Sequence, residues 1–329
     1  MTNPCFCTLF NSYYWAKGIL TLRSLLNVCP DAEIFVLAMD DRTAELLKRE
    51  NNPHIHVVTM AEFESPEILE AKSNRNQAEY CWTCGSAFIY YCMTTFNLSS
   101  CIYIDADLYF YTSPLKLLEG IGDNDVMITE HRYTPEYAYQ AQTSGKYCVQ
   151  FMLFHNTPNG MHILKWWRDA CLEWCYDRYE DGKFGDQKYL DDWTMRFKGV
   201  CVMKHEGGGL APWNIQQYDI STVDDTLYVQ NKQTSVRSEV VFYHFHHLRN
   251  YCLRSMTEFR MGPYPIAEDV KEQIYLPYVK ELIEIYRQYS TLGFDPLGSA
   301  LIIEVNRLQY ILHKIKAFIL PKDKVIWHV

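Results

Sequence analysis

Over the first sixty residues, strand-like apolar runs alternate with amphipathic helix-like runs, and this rhythm constrains the fold more than any other feature of the chain. Residues 5–10, 33–38 and 54–59 read as strands, and residues 15–26 and 42–50 as the helices between them. Strands joined through helices lie parallel, with right-handed crossovers. After a loop holding Pro66, residues 77–96 read as a helix that delivers the chain to another apolar strand, Cys101-Ile102-Tyr103-Ile104. That strand runs into Asp105-Ala106-Asp107. In extended backbone, side chains two apart share a face, so the two carboxylates can converge on one cation. A hard divalent cation at the carboxyl end of a strand is a natural seat for a diphosphate.

Downstream, Pro114 with residues 115–118 predicts a short helix, and 125–129, 149–155, 200–203 and 239–245 predict further strands. A long helix starts at Pro158 and runs through Trp166, Trp167 and Trp174; a flexible loop over 182–185 precedes a helix beginning near Gln187. Gly207-Gly208-Gly209 lacks the Lys-Ser/Thr ending of a phosphate-binding loop and reads as a mobile or closely packed loop on the acceptor side. The expected architecture is α/β: a mixed sheet flanked by helices over 1–265, with a C-terminal helical appendage over 266–329. In that appendage, 267–289 and 297–320 read as amphipathic helices separated by Gly293 and Pro296. The second carries Lys314 and Lys316, with Lys322, Lys324 and Trp327 beyond it. Its apolar face packs on the core or on a second copy in a homodimer, or lies on a membrane surface as a basic interfacial helix.

Composition narrows the function classes. A 329-residue chain that is 48% hydrophobic and 15% aromatic has ample material for a core and for stacking surfaces. A formal charge of -9 argues against a nucleic-acid-binding face. An anionic substrate would need locally supplied cations, and a metal is the simplest source. Twelve cysteines raise the question of disulfides, but the chain begins without a basic region, a long apolar core or a cleavage site, so a reducing, cytoplasmic setting is expected. Cys81-x-x-Cys84 and Cys171-x-x-x-Cys175 sit in apolar helical patterns without a second pair at zinc-ribbon spacing, and read as reduced, buried thiols. No uninterrupted apolar run is long enough to span a bilayer.

Four segments together resemble the glycogenin-like family 8 glycosyltransferases. Residues 6–18, FCTLFNSYYWAKG, resemble the family's first strand and nucleotide loop. Ile104-Asp105-Ala106-Asp107 resembles its metal-binding Asp-x-Asp; Phe184-Gly185-Asp186-Gln187 resembles its Gly-Asp-Gln segment; Val240-Val241-Phe242-Tyr243-His244-Phe245 resembles the late strand ending in a metal-binding histidine. Trp213-Asn214 is similar to the aromatic-Asn element before that strand. The resemblance covers roughly residues 5 to 250. It implies a GT-A (Rossmann-like) fold, a nucleoside-diphosphate sugar donor with UDP foremost, a Mn²⁺ or Mg²⁺ ion, a glycan, lipid-linked or protein acceptor, and transfer with retention at the anomeric carbon.

Expected roles follow residue by residue. Asp105 and Asp107 offer hard oxygen ligands, and an imidazole would shift preference from Mg²⁺ towards Mn²⁺. His244 and His246 are two apart on one strand face, so either can be that ligand; the resemblance favours His244. Phe10, Asn11 and Tyr13 close the first strand, where a base and ribose would rest, and Tyr13 could stack on the base. Ala106 lies between the ligands within the donor segment. The resemblance implies that Asp186 hydrogen-bonds sugar hydroxyls and that Gln187 lies near the reacting face of the anomeric carbon, although Asp186 at a loop-to-helix junction is also a natural N-cap. Retention proceeds by double displacement or by same-face attack, and the sequence does not choose. Two departures stand out. The family's lysine after the histidine is absent, with Arg249 its nearest substitute. The basic residue on the helix before Asp-x-Asp is absent too, leaving Arg75 or Lys72 upstream. The loops holding His131, Arg132, Tyr133, Tyr137 and Tyr139 are the expected acceptor wall. Two rivals remain: a catalytically silent sugar-nucleotide-binding scaffold, and an aspartate-nucleophile phosphatase, whose Asp-x-Asp would follow the first strand rather than lie about a hundred residues in.

Overall fold

The computed structural model describes residues 3–253, 256–290, 301–302 and 325–328. The strands in chain order are β1 (Cys5–Phe10), β2 (Glu33–Ala38), β3 (Ile55–Thr59), β4 (Ser100–Ile104), β5 (Leu108–Phe110), β6 (Val126–Glu130), β7 (Tyr147–His155), β8 (Val200–Val202), β9 (Tyr218–Val223), β10 (Thr226–Asn231), β11 (Arg237–Glu239), β12 (Phe242–His244), β13 (Arg249–Leu253), β14 (Met256–Arg260), β15 (Leu301–Ile302) and β16 (Val325–His328). The longer helices are α1 (Trp15–Val28), α2 (Asp41–Glu50), α3 (Gln77–Thr95), α4 (Pro158–Glu173) and α5 (Leu276–Ser290).

The main sheet has the order β3-β2-β1-β4-β7-β6-β8. β1 pairs parallel with β2 and β4, and β2 with β3. β7 runs against both its neighbours, β4 and β6, and β8 is parallel to β6, so the sheet is mixed as expected. Alternation along each strand divides the interior into two layers. Phe6, Phe10, Ile34, Val36, Ile102 and Ile104 face a layer closed by α1, α2 and α5, whereas Cys7, Leu9, Phe35, Leu37 and Cys101 face α3 and α4.

Local chemistry explains where the helices begin. Asp40 follows β2 and accepts the Thr43 N–H at 2.7 Å, capping α2, while its other oxygen accepts the Ser12 N–H and hydroxyl at 2.8 Å. One carboxylate thus ties the loop after β1 to the end of β2. Asn76 and Glu79 form a reciprocal capping box at the start of α3. Thr157 caps α4, whose first turn holds Pro158.

Beyond the main sheet, β9, β10 and β11 form a small antiparallel sheet, and β12 pairs antiparallel with β5. The triple glycine takes the closely packed form. The Gly207 carbonyl accepts from Val241, and a Cβ at 207 would lie 1.8 Å from the Glu239 carbonyl oxygen. The first expected C-terminal helix is present as a turn of α-helix and a π-turn leading into α5, and it packs on the core: Tyr278 stacks on Phe245 with centroids 3.6 Å apart, and Tyr289 meets Trp15 edge-on at 5.1 Å. The second expected helix, over 297–320, lies outside the described residues except at Leu301–Ile302. Those two are extended and pair with Tyr251 and Cys252, a correction to the helical expectation there: backbone pairing with a strand edge outweighs local periodicity. Val325–His328 likewise pairs with β14.

Candidate active site

The sheet order reverses between β1 and β4: the chain steps from β1 out to β2 and β3, then returns to the other side of β1. Crevices at such a switch point, outside the carboxyl ends of the strands, are where open α/β sheets bind ligands. Asn11 follows β1 and Asp105 follows β4, one on each side of the reversal. β4 stops at Ile104 and the chain turns at Ala106 and Asp107 before β5. The carboxylates therefore converge through a turn, not through the extended backbone that their spacing predicts.

His244 reaches them through the β5–β12 pairing, which sets it opposite Leu108. Its Nε2 is 3.0 Å from Asp107 Oδ1 and 3.8 Å from Asp105 Oδ2. Its Nδ1 lies 2.9 Å from the Gln150 side-chain oxygen. An amide oxygen only accepts, so Nδ1 carries a hydrogen and Nε2 is the atom turned to the carboxylates. Gln150 also accepts the Asp105 N–H on its carbonyl at 3.0 Å, so one residue of β7 holds both sides of the cluster. Lys17, in the first turn of α1, brings its ammonium to 3.8 Å from Asp107 Oδ2, beneath the Tyr14 ring. Gly18 permits this approach, since a Cβ there would lie 2.8 Å from the Phe10 ring.

The charges are unequal. Burial alone would raise Asp107, but His244 and then Lys17 hold it well below the usual carboxylate range. Burial pushes Asp105 up to about 6, with His244 opposing and Asp107 adding. Burial, followed by the repulsion of Asp105, pushes Asp186 up to about 8. His244 is raised, because Asp107 and Asp105 outweigh its burial. Carboxylates so crowded call for a cation. Donor atoms bound to one ion at about 2.1 Å stand roughly 3–3.5 Å apart, close to the 3.0 and 3.8 Å from His244 Nε2 to the two carboxylates, so the imidazole and a carboxylate fit a divalent metal. Donor atoms of Asp105, Cys148 and His244 also lie within 4.8 Å of one another.

Asp186 precedes the turn Gln187–Asp192 but makes no capping hydrogen bond. Its carboxylate lies near Gly85, where a Cβ would be 3.9 Å from Asp186 Oδ2 and 3.8 Å from the Tyr103 hydroxyl. Gln187 is tied by its amide to the Ser144 carbonyl at 2.7 Å, and Lys188 to Ala141 at 2.8 Å, which fixes this turn against the 140–146 segment.

The remaining expected residues divide. Tyr13 is 44% exposed beside the end of β1, while Asn11 accepts the Tyr14 N–H and caps the short turn there. Phe10 is buried against Trp15, and its carbonyl accepts from Met39, so it belongs to the core and not to the ligand face. Arg249 is exposed, near enough to Lys17 and Tyr14 to bear on their protonation. Arg75 gives its guanidinium to the Cys171 and Leu172 carbonyls at the end of α4, and Lys72 pairs with Glu64 at 2.6 Å; neither is brought to the carboxylates. His246 lies beyond the end of β12 and packs on Trp213, with its ring 5.5 Å from that of His244. Of the expected acceptor wall, His131 is buried against Trp213 and Arg132 binds the Gly208 carbonyl, whereas Tyr139 is 62% exposed. Asn214 bridges the His131 and Gly209 carbonyls, a structural role.

Sequence reading missed Gln150, Cys148 and Lys17 as members of the cluster. A signal existed for the first: Gln150 is the one amide in the otherwise apolar run 147–154, whose residues are buried on both faces.

The chain is 30% identical over 282 residues to the uncharacterized protein YfnD of Bacillus subtilis strain 168, covering 84% of this chain and 88% of YfnD. The chain belongs to the YfnD family. A second uncharacterized relative from that organism, YfnF, is 29% identical over 286 residues. No protein-family profile matches. Among solved structures, the galactosyltransferase LgtC in complex with donor and acceptor sugar analogs superposes with a TM-score of 0.53, at 16% identity over 86% of this chain and 99% of LgtC. An active-site mutant of LgtC gives 0.50 at 15% identity. At such identity the likeness establishes the fold, which is GT-A as the resemblance implied.

Proposed function

We propose that this member of the YfnD family is a retaining, divalent-metal-dependent glycosyltransferase that moves a sugar from a nucleoside diphosphate, UDP foremost, to a glycan, lipid-linked or protein acceptor. The observation that carries the reading is the convergence of Asp105, Asp107 and His244 at the β1/β4 switch point, with Asp186 facing them. Asp105, Asp107 and His244 hold Mn²⁺ or Mg²⁺, which when bound supplies positive charge for the departing diphosphate. Lys17 and Arg249 add positive charge on the same side, in place of the family's missing lysine after the histidine and its missing basic residue on the helix before Asp-x-Asp. Asn11 and Tyr13 take the nucleoside at the end of β1. Asp186, whose carboxyl burial and then Asp105 push up to about 8, hydrogen-bonds a sugar hydroxyl, and Gln187 lies near the reacting face of the anomeric carbon. Retention proceeds by double displacement or by same-face attack, the latter with the acceptor's proton passing to the leaving phosphate.

The test is incubation with a panel of nucleotide sugars and Mn²⁺, following release of the nucleoside diphosphate, including slow hydrolysis without acceptor. One donor is expected to be turned over, with EDTA abolishing the reaction. If no donor is bound or hydrolysed and EDTA changes nothing, the reading fails. Asp107→Asn is expected to cut release by about 100-fold or more while leaving the fold intact, because the side chain keeps its size.

A further inference from the structure

Cys148 is unlike the other buried cysteines. Cys7, Cys92 and Cys101 lie together in the apolar layer under α3, and Cys171 and Cys175 are buried in the same layer. Cys148 is 4% exposed, but its ionisable neighbours are Asp105, Asp186 and Asp107. Its sulfur, a carboxylate oxygen of Asp105 and a ring nitrogen of His244 are mutually within 4.8 Å, and the three come from separate segments of the chain. Ligands of one four-coordinate ion bound at about 2.1–2.3 Å stand roughly 3.5 Å apart, so side-chain movements of up to about 1 Å bring all three onto a single cation. Burial and then Asp105 push the Cys148 thiol well above its ordinary value, with the Gln150 N–H opposing them, so a bound cation has to displace the thiol proton. Backbone donors of this kind commonly support metal-bound sulfur.

We propose that Cys148, with Asp105 and His244, is a ligand of the cation of the proposed active site, giving a mixed oxygen, nitrogen and sulfur site that takes thiophilic cations such as Zn²⁺ and Co²⁺ more tightly than Mg²⁺. This rests on the metal site in the proposed function and deepens it. Thiolate is a soft donor, and it discriminates strongly against Mg²⁺. On binding, the Cys148 sulfur–hydrogen bond breaks, the sulfur keeps the electron pair for the metal, and the proton leaves to solvent.

The full-length, reduced, metal-free chain is titrated with Co²⁺ and read by near-ultraviolet absorption, where sulfur-to-cobalt charge transfer appears. A saturating band at one Co²⁺ per chain is expected, removed by stoichiometric Zn²⁺ and unaffected by excess Mg²⁺. Cys148→Ser and Cys148→Ala are both made, the second so that one folded variant is in hand, and each is expected to lose the band and to bind Zn²⁺ at least about 100-fold more weakly. Cys81 also borders Asp105 and Asp186 but lies outside the donor group, so Cys81→Ser is expected to keep the band. One Co²⁺ bound with no sulfur band, or a band that survives in both Cys148 variants, overturns the inference while leaving an oxygen and nitrogen metal site standing. Failure of the wild-type chain to bind Co²⁺ or Mn²⁺ at all overturns the metal reading itself.

Discussion

Three carboxylates share one buried patch and carry different charges, and the reason is which cation each can reach. Asp107 touches His244 and Lys17 and stays ionised; Asp186 has neither and is pushed up to about 8 by burial and by Asp105. This has a consequence for stability. Unfolded, Asp186 titrates near the ordinary carboxylate value of ~3.9, so between about pH 4 and pH 8 the native chain binds the extra proton. Stability contributed by that bound proton is present below the unfolded value and is lost as pH rises through the folded one. Asp186→Asn removes the titration. Its gain over wild type is expected to be near zero at pH 4 and to grow to the order of 1–3 kcal/mol by pH 8, while donor turnover falls. Thermal melts of both proteins at pH 4, 6 and 8 measure this, and a gain that is flat with pH would refute it. A second residue prediction concerns Gln150, whose amide nitrogen is buried without a partner among the described residues. Gln150→Leu keeps the volume but leaves His244 Nδ1 unheld. Stability is expected to change by less than about 2 kcal/mol, whereas Mn²⁺ affinity falls roughly 10- to 100-fold by calorimetric titration.

Elements, more than single side chains, decide which of these residues meet. β1 to β4 were readable because each is an apolar run long enough to cross a buried sheet, and the helices between them carry capping residues and an apolar stripe. Asp105, Asp107 and His244 were readable as candidates because each follows such a run. The contact of Gln150 with His244, and of Lys17 with Asp107, was not, since both depend on the register of segments about ninety residues apart. Local pattern carries no record of such pairings. The same limit explains Arg75: its charge was visible, but not that the carbonyls ending α4 would absorb it. The position of β12 in turn depends on Gly207, which abuts the Glu239 backbone and accepts the Val241 N–H at 2.8 Å. Gly207→Ala forces those backbones apart. It is expected to cost about 1–3 kcal/mol in urea unfolding and to weaken Mn²⁺ binding, because His244 moves with its strand. A variant with wild-type metal affinity would show that β12 is held from elsewhere.

At the scale of the whole molecule, the chain was expected to divide near residue 265, yet the segment beyond that point closes the core. Ile266, Val270, Ile274, Tyr275, Tyr278, Val279, Leu282, Ile285 and Tyr289 join the same apolar layer as Phe6, Trp15 and Phe245. The Tyr275 and Tyr243 hydroxyls are 3.0 Å apart, and Tyr278 covers Phe245, the residue directly after His244. Among the described residues no helix is long and apolar enough to cross a membrane, and α5 spends its apolar face on this packing. Fully burying a large apolar side chain contributes about 1.5–3 kcal/mol, so losing even five of them rivals the 5–15 kcal/mol that holds a typical domain together. A chain ending at residue 265 is therefore expected to lose cooperative unfolding, to bind a hydrophobic dye, and to lose Mn²⁺ binding with its fold. Circular-dichroism melts and dye fluorescence of the truncated chain measure this. If the truncated chain melted cooperatively within a few degrees of the full-length protein, residues 1–265 would be an independent domain, and α5 would be a cover on the metal site's supporting strand rather than part of the fold.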